Sequence, residues 1–247
     1  MRKLTEKHFS FEKEEVLNGR LSISNMKIYL LGVLVYSGAH LGFSFAAANA
    51  NTVGWDTLSS IWHLIFYIEA FLLAFLLLIL IFCWKITNFN QKILSVAVVL
   101  FTYNTGLIQY FSMVMLSKDR GMYESYITLI IFILISGLII HIVALKQWIK
   151  NLGSRNLEAK PKRRISKTGS IIPMIFLLVI IAGIIVRNGL LDEYELMFGM
   201  FIFTVVYFGM LIGVCEFIIV CYCIFRFPSF SVNASKRKSM QYTNNRN

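Results

Sequence analysis

Residues 61–83 read IWHLIFYIEAFLLAFLLLILIFC: 23 positions with one charge, Glu69, and no proline or glycine. A nearly uncharged apolar run of roughly 18 residues or more is the mark of a transmembrane helix, because about 20 helical residues cross a bilayer. No soluble core needs a segment this long and this apolar. Lys85 closes the run, and the rings of Trp62 and Trp84 stand where interfacial anchors belong. The stretch therefore predicts an integral membrane protein.

Working outward, the rest of the chain agrees. Of its 247 residues 57% are hydrophobic, and mean hydropathy is +0.67, far above an ordinary soluble domain. The net charge of +11 lies between the apolar runs, as expected for loops on the cytoplasmic side of a membrane. No interleaving of aromatic and basic residues suggests a nucleic-acid surface. Cys83, Cys215, Cys221 and Cys223 all fall in or at the end of apolar runs, so they read as small free hydrophobes rather than a disulfide framework. No cleavable signal peptide is expected at the polar start.

The fold class expected is all-α: a polytopic membrane protein with a single bundle of six transmembrane helices, at about 28–48, 61–83, 93–116, 126–145, 171–186 and 195–225. Residues 1–27 form a polar head. Phe9, Phe11, Val16 and Leu17 within it do not make one clean apolar stripe, so surface anchoring has little support. A basic connection spans 146–170, with Pro161 against one unbroken helix. A polar tail spans 226–247. With both termini cytoplasmic, 21 of the 24 Lys and Arg fall inside; Lys118, Arg120 and Arg187 fall outside. The opposite orientation would violate the positive-inside trend almost everywhere. The expected location is the cell membrane. An inverted repeat of the two three-helix halves has no support beyond a faint echo between Gly38-x-His40 and Gly137-x-x-x-His141.

The residues that ask for explanation are polar ones in apolar helices. A carboxylate in hydrocarbon is costly and faces a bundle interior, a partner or a water path. Glu69 and Glu216 are two such groups. Measured along the helices from the flanking lysines, Glu69 lies about 24 Å from Lys85, His40 about 20 Å from Lys27 and Asn104 about 18 Å from Lys92. These three are expected to meet at one depth. Glu216, about 15 Å from Arg226, and His141, about 8 Å from Lys146, are expected to share an inner level. This set reads as a polar pathway or cation-coupled site; its rival is a set of structural buried hydrogen bonds. Two GxxxG patterns, Gly38–Gly42 and Gly209–Gly213, predict close helix packing.

Other motifs carry less. His40, His63, Glu69 and His141 are metal-ligand types without metal-ligand spacing, and Cys221-x-Cys223 puts its thiols about 200° apart on a helix. No metal or cofactor is expected. Lys160, Lys162, Arg163 and Arg164 form a basic run suited to anionic lipid or to a cytosolic partner. SKTGS at 166–170 lacks the frame of a phosphate loop, and the Asn233-Ala-Ser235 triplet falls in the expected cytoplasmic tail. No nucleophile, base and orienter occur together, which weighs against an enzyme. Two functions are expected to compete: a small transporter or permease subunit for a solute or ion, and a non-transporting interaction protein, such as an immunity or accessory protein of a membrane complex. Partners in either case are the lipid bilayer and a protein in the membrane or at the basic loop.

Overall fold

A computed structural model describes residues 5–50, 52–153 and 194–232, and among them every regular element is helical. The elements are α1 (Ser10–Asn18), α2 (Ile23–Ala48), α3 (Ser60–Phe82), α4 (Asn88–Asp119), α5 (Tyr123–Gly153) and α6 (Glu195–Arg226). Short 3-10 turns cover Glu6–Phe9, Trp55–Thr57 and Pro228–Phe230. All but α1 are long and apolar enough to cross a membrane. The stretch at 171–186, the basic residues 160–164 and the tail beyond 232 lie outside the described residues.

Helix α4 is the axis of the bundle. Its most apolar window is 61% buried, against 17% for α3 and 22% for α5. The sequence explains the difference. Helix α3 is apolar all round, whereas α4 carries Ser95, Thr102, Thr105, Gln109 and Ser112, all buried, which must find partners in neighbouring helices. Helix α4 also starts earlier than its apolar run, because Thr87 caps it by accepting from the Asn90 amide at 3.1 Å. At its other end Gly121, at φ 68, closes the helix. The Met122 amide donates to the Ser117 carbonyl at 2.8 Å and the Gly121 amide to that of Lys118 at 3.1 Å, a Schellman motif that only glycine enters without strain. The chain therefore reverses in three residues, 120–122, and α5 runs back along α4.

Side-chain pairs fix the directions. Tyr29–Thr102, Tyr36–Gln109 and His40–Ser112 set α2 parallel to α4. Ser95–Cys221, the Gln109 amide on the Phe203 carbonyl, and Arg120–Glu195 set α6 antiparallel to α4. Tyr207 on the Leu134 carbonyl and His141 on that of Leu211 set α5 and α6 parallel. Two apolar clusters fill the bundle. The near one, at the end where α1 packs, centres on Phe9, Leu30, Leu94 and Val220. The far one centres on Ala48, Phe66, Met113 and Leu196. Glu69, Thr102, Thr105 and Gln109 fall between them.

Three expectations need correction. The boundary expected between the polar head and the first long helix at 27/28 moves, since α2 begins at Ile23; within the head Phe9 and Val16 are buried in the near cluster, and Phe9 lies 5.7 Å from the Phe227 ring and 6.3 Å from Tyr222. The basic connection does not begin at 146, since α5 continues through Gly153; Lys146, Gln147 and Lys150 are good helix formers and prolong the apolar run. The inner ends of the helices are also not flush. Tyr29, next but one to Lys27, meets Thr102, ten residues past Lys92. Helix α2 is thus shifted along α4 by about 12 Å relative to a common lysine level.

Candidate functional site

The five polar residues singled out from the sequence fall into four separate clusters. The first is Glu69 with Asn104, whose side-chain amide donates to Glu69 Oε2 at 2.9 Å. Glu69 is the tenth residue of α3, near mid-helix, and is 9% exposed. None of the ion pairs among the described residues includes it. Its position follows from packing two turns along, where Trp62 stacks on Phe111 of α4 at 6.2 Å. Glu69 and Asn104 are each seven residues from that pair and so recur on the same faces.

His40 is not part of this pair. Its Nδ1 lies 3.0 Å from Ser112 Oγ. Ser112 in turn donates to the His40 carbonyl at 2.9 Å, and Ser44 Oγ donates to Ser112 Oγ at 3.0 Å. Ser112 is eight residues beyond Asn104, hence about 12 Å further along α4. This is the displacement that the shift of α2 produces. Tyr36 and Phe203 enclose the imidazole, with centroids at 4.5 and 5.3 Å. Together with Tyr29–Thr102 and Tyr36–Gln109 this makes a ladder that satisfies the polar groups between α2 and α4. Ser37 Oγ is the exception, buried with no hydrogen-bond partner among the described residues.

His141 and Glu216 are close in depth but face apart. His141 Nδ1 lies 2.9 Å from the Leu211 carbonyl, which can only accept, so Nδ1 carries the proton. In the neutral ring Nε2 then accepts from the Tyr103 hydroxyl at 2.6 Å. Cys215 Sγ lies 3.5 Å from Nδ1. Glu216, one residue on and so about 100° round the helix, takes Arg20 instead. Arg20 Nη2 donates to both of its carboxylate oxygens, at 2.5 and 2.6 Å. Glu15 lies 3.6 Å from Arg20 Nε. Depth along the apolar runs gives no sign of Arg20, which lies before the first of them and reaches Glu216 from α1's end of the bundle.

The glycine pairs do not mediate helix contact within the described residues. A Cβ added at Gly38, Gly42, Gly209 or Gly213 would meet nothing within 4 Å. Gly38 and Gly42 instead line an apolar groove of about 450 Å³ with Phe45, Trp55, Phe66 and Tyr67. Glycines that permit close approach lie elsewhere. A Cβ at Gly137 would collide with the Tyr207 ring, and one at Gly106 would stand 3.3 Å from the other edge of that ring.

Chemically, three of the four clusters are satisfied networks: a charge with its counter-charge, or hydroxyls and imidazoles with complementary partners. Glu69 differs, being a carboxylate held by one neutral donor at the middle of the most apolar helix. Burying a charge with no opposite charge beside it is strongly unfavourable. A carboxyl in that position is poised to exchange a proton or to accept a cation. The chain matches no family model, no curated protein and no solved structure.

Proposed function

We propose that this chain is a six-crossing protein of the cell membrane, with both termini in the cytoplasm, that moves a solute or ion as a small transporter or permease subunit. The observation that carries the transport reading is Glu69, held by Asn104 alone among the described residues and without a cation. Membrane insertion is supported by the outer surface of the bundle, where Phe71, Phe82, Val35 and Phe132 are each at least two-thirds exposed. Lipid, unlike water, imposes no cost on that surface. The sixth crossing is supported by the parallel course of α5 and α6. The end of α5 and the start of α6 thus lie at opposite ends of the bundle, which a further crossing between them would account for. Lys160, Lys162, Arg163 and Arg164 then fall on the cytoplasmic side, placed for anionic lipid or a partner.

The test is Glu69→Gln in reconstituted vesicles under imposed pH and solute gradients. Glutamine keeps the size and the bond to Asn104 but cannot titrate. The pathway reading expects normal membrane abundance with flux lost or no longer dependent on pH. A wild-type protein that moves nothing under any gradient removes this reading. Flux with an unchanged pH profile in E69Q removes the site while leaving transport.

One observation favours a second reading, a non-transporting interaction protein. Gly38, Gly42, Gly209 and Gly213 present open faces on two helices, the surface that a partner helix packs against closely. Crosslinking from cysteines at 39 and 212 to a co-purifying membrane protein, with no flux in vesicles, would select this reading.

A further inference from the structure

Helices α3 and α5 flank an outward-facing stripe of α4, and the shallow groove this leaves between them bears on what Glu69 can bind. Its floor is one stripe of α4, Val96, Leu100 and Leu107, with Leu100 58% and Leu107 47% exposed on the otherwise most buried helix. Consecutive residues of α4 flank that stripe at mid-height. Asn104 reaches Glu69 on α3, and Tyr103 reaches His141 on α5. Glu69 lies on the same face of α3 as Trp62, two turns away, and the Trp62 ring touches Tyr123 of α5 at 6.3 Å. That face of α3 therefore looks towards α5. The far end of the groove is closed by these two rings and by Lys118, whose ammonium stands 3.8 Å from the Tyr123 centroid and 5.4 Å from that of Trp62.

This arrangement selects among cations. A hard inorganic ion such as calcium or magnesium takes about six or more oxygen ligands in exchange for its water. Here Glu69 and Asn104 supply a carboxylate and one amide oxygen; the floor is aliphatic, the Tyr103 hydroxyl is taken up by His141, and the Lys118 ammonium at the far end is drawn over the Trp62 and Tyr123 rings. A weakly hydrated organic cation loses little water on entry and gains from leucine and from aromatic faces. Its charge also compensates a carboxylate that has no counter-charge among the described residues. We propose that the groove between α3 and α5 binds a small, weakly hydrated organic cation, with its charge on Glu69 and its apolar body against Leu100 and Leu107. This rests on the reading of Glu69 as the functional carboxylate.

Radiolabelled tetraphenylphosphonium and the purified full chain in detergent give the test, by equilibrium dialysis with excess unlabelled cation as the control. Saturable binding is expected, with sodium failing to displace it. Glu69→Gln is expected to weaken binding by roughly tenfold or more, the scale of losing a buried charge partner. Leu107→Trp fills the groove without touching Glu69, and binding is expected to weaken there too. That second variant keeps the test alive if E69Q does not fold. Absence of saturable binding to folded protein overturns the proposal, as does equal affinity in both variants or displacement by sodium as effective as by the organic cation. Binding without flux in vesicles would remove the transport reading and leave this site. A pH-dependent flux lost in E69Q, with no organic-cation binding, would do the reverse.

Discussion

Gly137 is the residue at which one methyl group does most damage. Tyr207 lies across it, with its hydroxyl donating to the Leu134 carbonyl at 3.1 Å and its ring against Tyr110 at 5.4 Å. Gly137→Ala should force the ring away and lower stability by about 1–3 kcal/mol, the usual cost of overpacking. Gly38→Ala and Gly209→Ala should change it by less than about 0.5 kcal/mol. Thermal unfolding in detergent, comparing the three variants, checks both statements. The contrast shows what residue spacing conveys. A GxxxG pattern says that a close approach is available on one helix face, not that a neighbour stands there. Gly106 and Gly137 belong to no such pattern, and their role depends on a tyrosine about 70 and 100 positions away. The meeting of Glu69 and Asn104 was legible, because Lys85, just past the end of α3, and Lys92, near the start of α4, mark the same end of the bundle. The depth of His40 was not, because the shift of α2 along α4 is set by the pairing of Tyr29 with Thr102 and Tyr36 with Gln109.

At the scale of elements, the apolar runs announced five of the long helices, and the ends were the uncertain part. Thr87 and Gly121 set them by capping chemistry, which hydropathy does not see. Helix α1 was hidden for a different reason. Its docking face is Phe9, Glu12 and Val16, at i, i+3 and i+7, and all three are buried. The acid in the middle breaks the apolar stripe that sequence reading looks for. Two predictions follow from how α1 is held. Phe9→Ala empties a site closed by Tyr222, Phe227 and the near cluster. It should cost about 3–5 kcal/mol of docking stability, read as faster proteolysis near the N-terminus with the helical bundle intact. Arg20→Ala leaves Glu216 without its cation, so it should destabilise more than the Arg20→Ala/Glu216→Gln double variant. The difference should be modest, about 1 kcal/mol, because the Arg20 side chain is 39% exposed and partly screened. Equal unfolding midpoints for the single and double variants would contradict it.

At the scale of the whole molecule, five helices among the described residues are long and apolar enough to cross a membrane, and their directions bear on the sixth crossing proposed above. Helices α2, α3, α4 and α5 alternate in direction, as short connections require. Helix α6 breaks the alternation by running parallel to α5. His141 sits against Leu211 and Cys215 while Tyr207 sits against Leu134, so sequence numbers rise together along the two helices. Arg120 paired with Glu195 at 2.9 Å places the start of α6 beside the end of α4, at the far end of the bundle. Gly153, the last residue of α5, is at the near end. Position 157 should therefore be exposed on the cytoplasmic side and position 190 on the opposite side. Single cysteines introduced at 52, 89, 122, 157, 190 and 240, with Cys83, Cys215, Cys221 and Cys223 replaced, can be labelled in intact cells with a membrane-impermeant maleimide. Label is expected at 52, 122 and 190 without lysis, and at 89, 157 and 240 only after it. If 157 and 190 report the same side while 52 and 122 report outside, α5 and α6 cannot run parallel across the membrane. The six-crossing arrangement would then fall, together with the cytoplasmic placement of Lys160, Lys162, Arg163 and Arg164.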